Sequence, residues 1–163
     1  RASGADISML LDMLDWKRAD EYLCVLLQNQ QTDTSTVMNH VLHSDLFQVF
    51  PNSYILLIKN QQCIIINLSK DQIDPATIRH QLAPVCRDYC LYAGISSPVL
   101  GIDSLNQAFI QSGIALEQAY YLRSDRWVIP FTHVALDYML GSIQSPITNL
   151  ARVLNQIAES KEA

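Results

Sequence analysis

Cys86 and Cys90 stand four residues apart with His80 one and a half helical turns earlier, a spacing that could aim two thiolates at one metal ion. A fourth ligand is missing and structural zinc favours paired C-x-x-C knuckles, so ordinary packed cysteines are expected. Apart from Arg87 nothing basic lies near enough in sequence to lower a thiol pKa, which leaves redox sensing without support. His40 and His43, three apart, lack the intervening Glu of an H-E-x-x-H zinc hydrolase and read as polar residues on a helix face. Gly94-Ile95-Ser96-Ser97-Pro98 has the outline of a nucleophile elbow, but proline stands where the last glycine is required, so a strand-end turn is expected. The aromatics Trp16, Tyr22, Tyr54, Trp127 and Phe131 could line a pocket or stack on a base, yet they fall at strand ends and helix starts, where core or rim packing is the rule. No catalytic constellation emerges, and no metal or cofactor is expected.

The chain that must position these groups has 163 residues, 49% hydrophobic and 17% charged, enough for one self-sufficient domain with an appended helical segment. Its formal net charge of -5 argues against a grip on a phosphate backbone, which rests on Lys and Arg. No apolar run approaches the roughly 20 residues needed to span a bilayer, and no signal-peptide core follows Arg1-Ala2-Ser3-Gly4, so a soluble, cytoplasmic protein is expected. Cys24, Cys63, Cys86 and Cys90 are then reduced thiols, because a core of this size needs no disulfide staple.

The periodicity predicts a lead helix over Ile7 to Trp16 with Asp6 as N-cap, and a buried strand at Tyr22 to Leu27. Capping residues at Thr32 to Thr36 precede a helix that Pro51 stops. Tyr54–Ile58 and Cys63–Ile66 read as a hairpin of two central strands. Asp74-Pro75 opens a second core helix, Leu91–Ser96 is a strand, Asp103–Leu122 a long helix, and Arg126–Phe131 an edge strand. Two helices fill the tail, the last starting at Pro146 with Ile147, Leu150, Leu154 and Ile157 on one face. The order is that of a ferredoxin-like α+β fold, βαββαβ, with an antiparallel sheet, helices on one face, and an extra helix and edge strand. The division expected is 1–20 for the lead helix and following turn, 21–131 for the α/β domain, and 132–163 for C-terminal helices acting as a linker.

Tyr92-Ala93-Gly94-Ile95-Ser96-Ser97-Pro98-Val99, then Leu105, Ala108 and Ala115-Leu116-Glu117-Gln118-Ala119, and finally Trp127-Val128-Ile129-Pro130-Phe131 leading into Leu136, form a distributed pattern. It resembles the GGDEF fold of bacterial nucleotide cyclases, and more closely the degenerate GGDEF-like domain of PucR/CdaR-type transcriptional regulators. The segment Leu10 to Tyr22 also resembles the approach to that domain, with Asp15 where an L-G-W-like turn has glycine. The resemblance spans Leu10 to Leu140.

In active members of that fold, phosphoryl transfer needs metal ions held by carboxylates, and the resemblance places the signature on the hairpin between the second and third strands. Here that hairpin is Lys59-Asn60-Gln61-Gln62-Cys63, with neither glycine nor acid, and Gln28-Asn29-Gln30-Gln31 stand where a second carboxylate is expected. A solvated turn is expected there, not a residual nucleotide site built from amides. The resemblance therefore implies a non-enzymatic regulatory or dimerisation module of a transcription factor: a homodimer that meets DNA only through a helix-turn-helix domain absent from this chain, and meets no membrane. Its small-molecule effector is unknown. The alternative is a small-molecule or nucleotide-binding sensor domain.

Overall fold

The computed structural model describes residues 4–30, 36–58, 61–70, 72–121 and 127–139. Among these residues five α-helices and six strands follow in the order α1 (Gly4–Leu14), β1 (Glu21–Asn29), α2 (Thr36–Val49), β2 (Tyr54–Ile58), β3 (Gln61–Asn67), α3 (Pro75–Tyr89), β4 (Leu91–Ile95), β5 (Val99–Leu100), α4 (Leu105–Tyr121), β6 (Val128–Pro130) and α5 (Ala135–Met139). The expected caps at Thr32 to Ser35, the start of the edge strand at Arg126 and the tail helices beyond Met139 lie outside the described residues. No helix among the described residues is long and apolar enough to cross a membrane.

The strands form one mixed sheet in the order β2-β3-β1-β4-β6, with β5 alongside the start of β1. All pairings are antiparallel except β4 with β6. Strand β1 lies between β3 and β4, and β3 between β2 and β1, so two β-α-β crossovers interleave as an α+β ferredoxin-like arrangement requires.

Two expectations about the sheet are corrected. β2 is not central: its partner among the described residues is β3, and its side chains are mostly half-buried. An apolar β-branched run marks a strand without saying whether one or both of its edges are paired. Nor do the helices keep to one face. Leu23, Val25 and Leu27 of β1 pack beneath α2 and α3, whereas Tyr22, Cys24 and Leu26 join a second core built with α4. A central strand with apolar side chains on both faces needs cover on both, and each fully buried leucine contributes about 1.5–3 kcal/mol.

α3 follows its sequence signals closely. Asp74 caps it by accepting the Ala76 N–H at 3.0 Å, Pro75 opens the first turn, and Ile78, Leu82, Val85 and Cys86 face the core. It ends when Cys90 enters the left-handed region at φ 53°, its N–H bonded to the Cys86 carbonyl. The Tyr89 hydroxyl donates to Asp45, tying α3 to α2. That bond, more than burial, pushes the Tyr89 pKa up to about 12.

The turn after α1 is a left-handed helix stop. Asp15 has φ 56° and Trp16 N–H reaches back to the Leu11 carbonyl at 2.9 Å, the geometry that glycine occupies most readily. Asp20 then pins this turn to the end of β3. Its Oδ2 accepts the Asn67 side-chain amide and the Lys17 N–H, each at 2.9 Å. The Asn67 bond is the main cause that holds the Asp20 carboxyl below its ordinary value; burial opposes it weakly.

On the second face, Gly94 of β4 lies directly under α4. A Cβ there would stand 2.1 Å from the Ser112 carbonyl oxygen and 2.4 Å from the Leu116 nitrogen, both backbone atoms that cannot swing aside. The helix presents Ala108, Ser112, Ala115 and Ala119, all fully buried, where bulkier residues would hold it off the sheet.

Two outcomes follow. Gly94→Ala forces α4 off the sheet and lowers stability by about 3 kcal/mol or more, at the upper end for overpacked cores, read as a shift in denaturation midpoint. Because the folded pKa of Asp20 is depressed, its contribution is present above about pH 4 and lost as pH falls through the folded value. The gap in melting temperature between wild type and Asp20→Asn should accordingly be widest near pH 6 and close toward pH 2.

Candidate functional site

Lys59 and Asn60 of the expected signature hairpin lie outside the described residues; Gln61, Gln62 and Cys63 do not form a solvated turn. They are the first three residues of β3. Gln61 pairs with Ile58, and Gln62 pairs with Leu57 on one side and Leu27 on the other. Ladder bonding extends two residues beyond the apolar run because each backbone group there meets a partner strand, whatever the polarity of its side chain.

The two stretches expected to carry acids do meet. The Gln61 Nε2 donates to the Gln28 Oε1 at 3.1 Å, an amide pair on the sheet face that carries α4. Gln62 points to the opposite face and is 4% exposed, with its Oε1 lacking a hydrogen-bond partner among the described residues. Neutral amides supply neither the charge nor the oxygen cage that magnesium needs. Among the described residues no group of three His, Cys, Asp or Glu side chains is placed to hold a metal ion.

Cys63 faces Cys24 across β3 and β1 with the sulfurs 3.6 Å apart, both side chains fully buried. With Cys63 as donor, Cys24 is held below the usual thiol value, helped by the Ser112 hydroxyl at 3.5 Å and opposed by burial. The same bond, followed by burial, pushes the Cys63 thiol up.

The other sequence candidates are scattered. Cys86 lies in the core under α3, its pKa pushed up to about 12 by burial, whereas Cys90 is the exposed cap of that helix. Cys86, Cys90 and His80 therefore share no metal-binding face. His40 and His43 are exposed on α2. Ser96 Oγ accepts the Cys24 N–H at 2.9 Å and its own N–H returns to the Cys24 carbonyl, so this hydroxyl locks β4 to β1. Trp16, Tyr22 and Phe131 are buried; Trp16 and Tyr22 lie 5.6 Å apart between ring centroids.

A groove that no sequence motif announces runs along the outer flank of α3. A cavity of about 870 Å³ is lined there by Arg79, His80, Ala83, Pro84, Arg87 and the Trp127-Val128 start of β6. Arg79 and His80 also line an adjoining cavity of about 320 Å³ that reaches Ser96, Ser97 and Pro130. The available signal was the spacing Arg79, Ala83, Arg87, which puts two arginines on one helix face across a small residue. A third cavity, about 490 Å³, lies between the ends of α2 and the start of α3.

The thiols give a direct check on this arrangement. A disulfide reagent at pH 8 should label Cys90 alone quickly in the native protein, and all four cysteines once denatured; rapid native labelling of Cys24 or Cys63 would contradict the packing described.

The family model that matches the chain is that of the ribosomal protein uL10 C-terminal region, over residues 133–163, which comprises α5 and the segment after it. It is not that of the GGDEF-like domain of PucR/CdaR regulators, and the resemblance stated from the sequence is corrected accordingly. The residues from Tyr92 to Phe131 pack α4 and β6 on β4. With the resemblance go the expected transcription-factor module, its homodimer, its link to a DNA-binding domain and the sensor alternative framed on the same fold. No curated protein matches the chain. No solved structure matches it.

Proposed function

We propose that this chain is a non-catalytic, cytoplasmic component of the translation apparatus that associates with ribosomal particles through residues 133–163. The observation that carries this reading is the match of that segment to the C-terminal region of a ribosomal protein. The geometry at its start agrees with a contact role. Tyr138 docks on Phe131, ring centroids 6.0 Å apart, while Leu136 and Met139 on the same short helix are 69% and 79% exposed. Apolar side chains held outward on an anchored helix are the usual raw material of a protein-protein contact.

The test is sedimentation through a sucrose gradient with ribosomal particles from the cell that makes the protein. The full chain should travel with the particles, and Leu136→Asp combined with Met139→Asp should leave it near the top, since both positions are too exposed for the exchange to unfold the body. A full chain that stays at the top at low salt, or a double variant that travels unchanged, would refute the reading.

A further inference from the structure

We infer that the groove between α3 and the start of β6 binds single-stranded RNA, with Arg79 and Arg87 on its phosphates and the Trp127 indole against a base. The choice of RNA among polyanions rests on the translational reading above; the groove itself rests on its own chemistry.

The chain is acidic as a whole, yet the two adjoining cavities along α3 hold two arginines and a histidine, and no carboxylate is among their lining residues. Asp88 lies 3.6 Å from Arg87, but that pair is open to water, with side chains 65% and 72% exposed. Such pairs are weak and exchange readily for a phosphate, which offers Arg a bidentate partner. Arg79 and Arg87 are eight residues apart on one helix face, about 12 Å along the axis at about 1.5 Å per residue. Two guanidiniums so spaced suit phosphates two nucleotides apart on a strand better than the single phosphate of a small ligand.

Between them Ala83 keeps the floor low, and Pro84 has no N–H to offer the His80 carbonyl. Trp127 is half-buried, wedged at the sheet end where its carbonyl accepts the Ala93 N–H at 2.7 Å, so its indole is a fixed platform. Fixed aromatics beside arginines are the recurrent means of holding unpaired bases.

The measurement is titration of the full chain with a 5′-labelled oligouridine, followed by anisotropy and by tryptophan emission. Trp16 is buried, so quenching reports Trp127. Binding should weaken at least tenfold in the Arg79→Gln, Arg87→Gln double variant, and the slope of log affinity against log salt should flatten by about 1.4, at about 0.7 per phosphate contact. Trp127→Ala should weaken it about tenfold; because that residue also packs in the core, Trp127→Phe, which keeps a stacking ring, should recover most of the loss. The inference fails if the arginine variant binds as wild type does, if emission does not change on binding, or if polyglutamate of equal charge displaces the RNA at equal concentration. RNA binding without ribosomal sedimentation would sink only the translational reading, and sedimentation unaltered in the arginine variant without RNA binding would sink only the groove.

Discussion

The backbone of α4 crosses β4 where position 94 has no side chain, and much of the molecule is arranged around that approach. Ser112 and Leu116 come within contact of the space a single methyl group would fill. With α4 seated so low, Ser112 reaches Cys24 on β1, and Ala108, Ala115 and Ala119 close the second core over Tyr22, Cys24 and Leu26. The reciprocal bonds between Ser96 and Cys24 hold β4 and β1 in register beneath the helix. A helix seated on each face is what lets β1 be apolar on both sides.

Around this core the polar groups settle structural questions. Asp20 fastens the first turn to β3, Asp74 starts α3, and Asp45 with Tyr89 joins α2 to α3. Gln28 and Gln61 satisfy each other on the face under α4, and Cys63 is turned inward against Cys24. A buried amide such as Gln62 costs free energy when its acceptor is unmatched, so its position follows from strand register, not from preference for the interior.

The charge balance shows how a sum conceals a distribution. The net charge of -5 spoke against phosphate binding, yet α3 gathers Arg79, His80 and Arg87 along one cavity whose lining holds no acid. Electrostatic recognition depends on local potential, screened over about 8–10 Å, so distant carboxylates weigh little there, while Asp88 beside Arg87 offsets part of the positive charge.

The sequence by itself determined the local elements. Apolar runs of strand length, the Asp74-Pro75 helix start and the β-branched hairpin flanks each have a local cause, and the α+β strand order followed from them. Asp15 takes a left-handed turn at φ 56° that its residue type does not announce. What periodicity could not show was decided between elements: that β2 is an edge, that β6 runs parallel to β4, that α4 covers the opposite face from α2 and α3, and that Gln61 and Gln62 belong to a strand. The resemblance carried by Tyr92 to Phe131 was misleading for the same reason, since close helix-sheet packing imposes its pattern regardless of function. Only tertiary structure places Trp127 beside Arg79 and Arg87, because residues forty or more apart in sequence meet through the stacking of α3 on β4 and β6, and no local signal encodes that distance.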